Sequence, residues 1–288
     1  EVRISLLPSP KLGATSARDR WSAVVWLVAV AALAYAPMWG GSVLYFRDIF
    51  RTTYPLRHYL RTTVLRGELP VWDPNLALGL SAFADPLWCH FYPPNWLNLV
   101  GPLPWMITFT QFLHAVWGGL GAIALARRFG ARGTVAGLAW SLAGFTTSTQ
   151  TTGFVETGSW IPWLAVGLIA LADAQRTSKW YAHLRGLAAA AAPVALLALH
   201  GEPFAAIFGV GFALLATLLW LWEQGELRRR VGRFLAVAAL AATLGGLSGS
   251  VTLVPALLNL GNTERAQAMP LAAAEFHSLA PGRLAELT

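Results

Sequence analysis

The chain has 288 residues, of which 56% are hydrophobic and only 12% charged, and its mean hydropathy is +0.51. A soluble chain carries about twice that share of charge, which excludes an ordinary water-soluble domain and leaves a polytopic membrane protein. The net charge of +7 follows the positive-inside pattern rather than forming a nucleic-acid patch, and a single cysteine allows no intrachain disulfide.

Residues 1–20 are polar, with Arg3, Lys11, Arg18 and Arg20 ahead of an apolar run, and read as a cytoplasmic tail. Trp21 to Met38 is a stretch of 18 residues without a charge, enough for one crossing. A cleaved signal peptide has the same Arg-then-apolar layout, but the apolar segments that follow favour an anchor.

Residues 39–104 are the one long polar segment. They hold Asp48, Glu68, Asp73 and Asp85, five arginines, His58, His90 and Cys89, with prolines interleaved among Trp72, Trp88, Phe91, Tyr92 and Trp96. This composition predicts short helices and turns at a membrane interface, ordered as a cap over the outer ends of the spans. From Pro55 to Leu65, Leu56, Tyr59, Leu60, Thr63 and Val64 share one helical face and Arg57, Arg61 and Thr62 the other. The pattern predicts an amphipathic surface helix whose arginines meet a phosphate or lipid headgroups.

Six further apolar segments follow, at about 105–126, 134–150, 159–174, 184–200, 203–222 and 234–258, making about seven spans within residues 21–260. The joints after the second, fourth and sixth spans carry Arg127, Arg128 and Arg132, then Arg176, Lys179 and Arg185, then Arg228, Arg229, Arg230 and Arg233; the joints between carry neither Lys nor Arg. The basic joints and the N-terminus are therefore expected inside, and loop 39–104 and segment 261–288 outside. Gly118, Gly119, Gly121, Gly245, Gly246 and Gly249 predict close helix contacts, and Gln111 and His114, one turn apart, are placed to bridge helices.

Three acids then fall on the outer face: Asp48 after the first span, Glu156 in the joint after the third, and Glu202 beside His200 in the joint after the fifth. A carboxylate at a bilayer edge can deprotonate a hydroxyl acceptor, hold a divalent ion or pair with an arginine. The three are expected to converge on one outward-opening cavity; the plainer alternatives are surface pairing for Asp48 and capping or solvation for the two glutamates. There is no phosphate-binding glycine loop, dinucleotide fingerprint, zinc spacing or nucleophile elbow.

The run from Arg66 to Pro74 (RGELPVWDP), Phe91 to Pro94 (FYPP), His200 to Pro203 (HGEP), Leu253 to Pro255 (LVP) and Phe276 to Pro281 (FHSLAP) resemble the YfhO-like bacterial membrane protein family. The resemblance implies an all-α polytopic bundle of the GT-C glycosyltransferase type, located in the bacterial inner membrane and corresponding to the N-terminal portion of longer proteins. It further implies transfer of a sugar from a polyprenyl-phosphate-linked donor on the extracytoplasmic face. On that basis Asp48 is the general base or a metal ligand. Glu156 and Glu202 are substrate or metal contacts and His200 a substrate contact, a divalent metal ion being an optional cofactor, and Arg47, Arg51, Arg57 and Arg61 hold the lipid phosphate. The expected partners are membrane lipids, the lipid-linked sugar and other subunits of a membrane complex, not nucleic acid. The other reading is a catalytically inactive scaffold or accessory subunit of such a complex; a transporter is disfavoured by the near absence of charge within the spans.

Overall fold

The computed structural model describes residues 17–263 except 77, 144–145 and 148–153. Most of the expected N-terminal tail, nearly all of the segment from 261 onward and the run from Phe276 to Pro281 lie outside the described residues. The described chain is mostly helical. Its helices are α1 (Ala17–Ala34), α2 (Tyr54–Leu65), α3 (Leu103–Arg128), α4 (Gly133–Leu142), α5 (Phe154–Ala174), α6 (Trp180–His200), α7 (Pro203–Glu223), α8 (Leu227–Ser248) and α9 (Ser250–Asn259).

Among the described residues five helices, α3, α5, α6, α7 and α8, are long and apolar enough to cross a membrane. The other two expected spans are shorter helices. The apolar part of α1, Trp21–Ala34, stops ahead of Pro37, whose ring cannot continue the backbone ladder and restrains the residue before it. A single turn, Ala36–Trp39, follows. Helix α4 has ten residues and ends at Leu142, just before residues that are not described. The last apolar run is divided at Gly249 into α8 and α9.

The bundle core lies between α5, α6, α7 and α8, where Leu164, Leu168, Ile169, Leu197, Trp220, Leu221 and Phe234 are buried together. Small residues set its spacing: a Cβ on Gly167 would overlap the carbonyl oxygen of Ala189 on α6, and one on Gly245 would come within 2.6 Å of Val194. Of the six glycines expected at contacts, only Gly246 has open space beside it.

The two ends of the bundle are chemically distinct. At one end, ion pairs join three of the basic joints: Arg128 with Asp173 at 2.9 Å, Arg176 with Asp173 at 3.1 Å and with Glu226 at 2.8 Å, and Arg230 with Glu226 at 3.3 Å. Asp173 is thus paired with arginines of two joints, and Arg176 also lies over the ring of Trp220. At the other end sits the loop 39–104, which is folded as the sequence predicts.

After a π-helix at Ile49–Thr53 the chain enters α2, then a two-residue antiparallel ladder in which Trp72 faces Ser81 and Asp73 faces Leu80, then 3-10 turns at Pro86–Trp88 and Pro93–Leu99. This cap has a small core of its own, Leu56, Ala82 and Trp88, with Tyr59 and Leu76 against it.

Candidate functional site

Helix α2 departs from the expected amphipathic pattern. Its apolar residues do turn inward, but Arg57, placed by periodicity on the solvent side, is buried as deeply as Leu56 and Leu60. Burying a guanidinium requires partners, and Arg57 has two. One N–H donates to the carbonyl of Trp88 in the cap, and the other terminal nitrogen lies 3.8 Å from Glu156 on α5. Arg61, half-buried on the next turn, donates to the carbonyls of Asn98 and Gly101. Both arginines therefore fasten the chain to itself.

Glu156 is likewise no joint residue. It lies in the first turn of α5, is only 3% exposed, and is the hub of a buried polar cluster. Its Oε1 accepts from Gln111 Nε2 at 2.7 Å, and its Oε2 accepts from His200 Nε2 at 3.0 Å. The other nitrogen of His200, Nδ1, lies 2.8 Å from the Thr157 hydroxyl, which donates to it. A hydroxyl, an imidazole and a carboxylate thus stand in the atom order of a hydrolytic triad. Thr157 is fully buried, however, so no substrate reaches it in this arrangement.

A second chain runs beside the first. Trp160 Nε1 donates to the Tyr92 hydroxyl at 2.6 Å, and that hydroxyl donates to His114 Nε2 at 2.6 Å. The remaining ring nitrogen, Nδ1, donates to the Thr110 carbonyl at 2.7 Å, which fixes the tautomer. Gln111 thus bridges α3 to α5 as its placement predicts, whereas His114 bridges α3 to the cap. Cys89 closes the cluster with its thiol 2.9 Å from the His200 carbonyl. Burial, first of all, pushes that thiol's pKa up to about 11, which disfavours the nucleophilic thiolate as long as the group stays covered.

Asp48 has a different setting. It is exposed and lines an open cleft of about 410 Å³ with Tyr45, Phe46, Arg47, Phe50 and Arg51. Neither Glu156, Glu202 nor His200 lines that cleft. Glu202 is buried in the turn between α6 and α7, and among the described residues no group of three or more His, Cys, Asp or Glu is arranged to hold a metal ion.

Two backbone features mark the cleft. Arg47 holds a left-handed φ of +50°, rarely adopted by a residue with a Cβ, and the π-helix Ile49–Thr53 begins directly after Asp48. Both are costly local conformations that concentrate at functional sites. Sequence reading singled out Asp48, Arg47 and Arg51 but missed the aromatic half of the cleft, and it assigned Tyr92, Thr157 and Trp160 to no site. Their signal was only that polar-tipped aromatics and a hydroxyl flank a span end. Comparison of the chain with protein-family models, with curated proteins and with solved structures found no match.

Proposed function

We propose that the chain belongs to a YfhO-like membrane glycosyltransferase of GT-C type, set in the bacterial inner membrane with the basic joints inside and the cap outside. In this reading it transfers a sugar from a polyprenyl-phosphate-linked donor at the outer face. The observation that supports this most is the Asp48 cleft, where one exposed carboxylate stands between two arginines and three aromatic rings. Inverting sugar transfer needs a base at the acceptor hydroxyl and positive charge for the departing phosphate, and aromatic faces suit a sugar ring. Arg57 and Arg61, being engaged within the protein, leave Arg47 and Arg51 for the phosphate. Glu156 and His200 support the cap rather than touching substrate.

One observation favours the second reading, an inactive scaffold of a larger membrane complex: the bundle-side carboxylate Glu156 is fully engaged with Arg57, His200 and Gln111, which leaves Asp48 as the one acid in the cleft. Membranes containing the full chain, given a labelled polyprenyl-phosphate hexose, decide between them. Transferase action predicts labelled product that falls about 10²- to 10⁴-fold in D48N. Product formation that is absent in the wild type, or equal in D48N, overturns the enzymatic reading and leaves the scaffold.

A further inference from the structure

No buried apolar cluster spans the cap and the bundle, although Pro86 packs on Gly201 and the Tyr92 ring lies against the rings of His114 and His200. The cap's core, Leu56, Ala82 and Trp88, contains no bundle residue, and the bundle's clusters contain no residue of 40–102. Beside those contacts, the described residues join the two parts through polar groups: Arg57 to Glu156, the Cys89 thiol to the His200 carbonyl, Tyr92 to His114 and Trp160, and the Leu44 amide to the Thr108 hydroxyl.

The charged groups at this junction each keep a partner on their own side. Arg57 donates to Trp88 within the cap, while Glu156 retains Gln111 and His200 within the bundle. At 3.8 Å the contact between them is the loosest in the cluster. Separation therefore strands neither charge without a hydrogen bond, which removes much of the penalty that normally makes breaking a buried ion pair prohibitive. Buried polar atoms without partners also gather in the cap and on the facing side of α3: both ring nitrogens of His90, Oδ1 of Asn95, Oδ1 of Asn98 and Oε1 of Gln111. Each gains a hydrogen bond when water enters.

We propose that residues 40–102 form a lid that opens from the bundle as a unit, and that the Arg57–Glu156 contact is its latch. Opening carries α2, and with it Asp48 at the head of the preceding π-helix, away from the outer ends of α3, α5 and α6. It also uncovers Cys89. This mobility does not depend on the transferase reading.

The native thiol reports the motion without background, because Cys89 is the sole cysteine. The full chain in lipid nanodiscs is treated with a maleimide, and the labelling rate of Cys89 is followed in the wild type, E156Q, R57Q, the double variant and D173N. The expected result is at least a ten-fold faster rate in E156Q and in R57Q. The double variant should be no faster than the faster single one, because one contact has been removed, and D173N, at the opposite end, should match the wild type. Unchanged rates in E156Q and R57Q overturn the latch. So does an equal rise in D173N, which would mean general loosening.

Hydrogen exchange on the wild type supplies an independent reading should a variant fail to fold. Amides of α2 and of residues 86–99 should exchange together and faster than those of α5 and α6. Exchange of cap and bundle at one common rate overturns the lid.

Discussion

Tyr92 ties the cap to two helices of the bundle, α3 and α5. Its hydroxyl accepts from Trp160 and donates to His114, and the residue is fully buried. Tyr92→Phe leaves an indole N–H and an imidazole nitrogen unpaired at almost unchanged shape, so the expected loss is about 1–3 kcal/mol, read from denaturant unfolding in detergent micelles.

His90, in contrast, is buried without partners between Tyr59 and Trp88, and this burial, with Arg57 as a lesser cause, lowers its pKa to about 3. A base with a depressed pKa in the folded state contributes stability above its unfolded pKa of about 6.5 and loses it as pH falls toward the folded value. The cap should therefore weaken between about pH 6.5 and 3, by up to roughly 1.4 kcal/mol per pH unit. His90→Phe should flatten that dependence in cap amide exchange; an unchanged slope would assign the acid sensitivity to another group.

Helix spacing is the controlling quantity among the elements. Helices α5 and α6 approach so closely that a side chain on Gly167 meets the Ala189 carbonyl, a backbone atom that cannot rotate away. Gly167→Val should consequently cost more than about 3 kcal/mol, at the upper end of overpacking penalties, or prevent folding altogether, whereas Gly246→Ala, with open space around it, should be near neutral. Comparative thermal unfolding of the two variants checks the contrast. The ion pairs at the far end are about one-third exposed and should each contribute under about 1 kcal/mol. Their value lies in showing that the joints bearing Arg128, Arg176 and Arg230 meet at one end.

For the whole molecule the central expectation is topology. Glu156 is buried, so it makes a poor labelling site even if its end faces outward. His58, exposed on α2, and Arg229, exposed at the start of α8, are the suitable pair. In a Cys89→Ser background, an impermeant maleimide applied to intact cells should label His58→Cys and reach Arg229→Cys only after permeabilisation. The reverse pattern would invert the proposed orientation and move the Asp48 cleft to the cytoplasmic side.

Composition and hydropathy alone determined the helical, membrane-compatible class. Five of the seven apolar runs became helices of crossing length, because a lipid environment leaves the chain little choice but to satisfy its backbone internally. Proline and aromatic content likewise announced an ordered cap. Tertiary structure alone decided which polar residues are buried. Helical periodicity put Arg57 on an outer face, but periodicity only divides apolar from polar; it cannot see that Glu156, about a hundred residues later, waits on the other side of that face. The convergence of Glu156, His200, Thr157, Gln111 and Tyr92 depends in the same way on how α3, α5, α6 and the cap pack. Asp48, by contrast, was legible as an isolated acid beside two arginines because its neighbours are adjacent in sequence. Local chemistry is written in the chain, whereas a buried cluster exists only once distant segments have been brought within hydrogen-bonding reach.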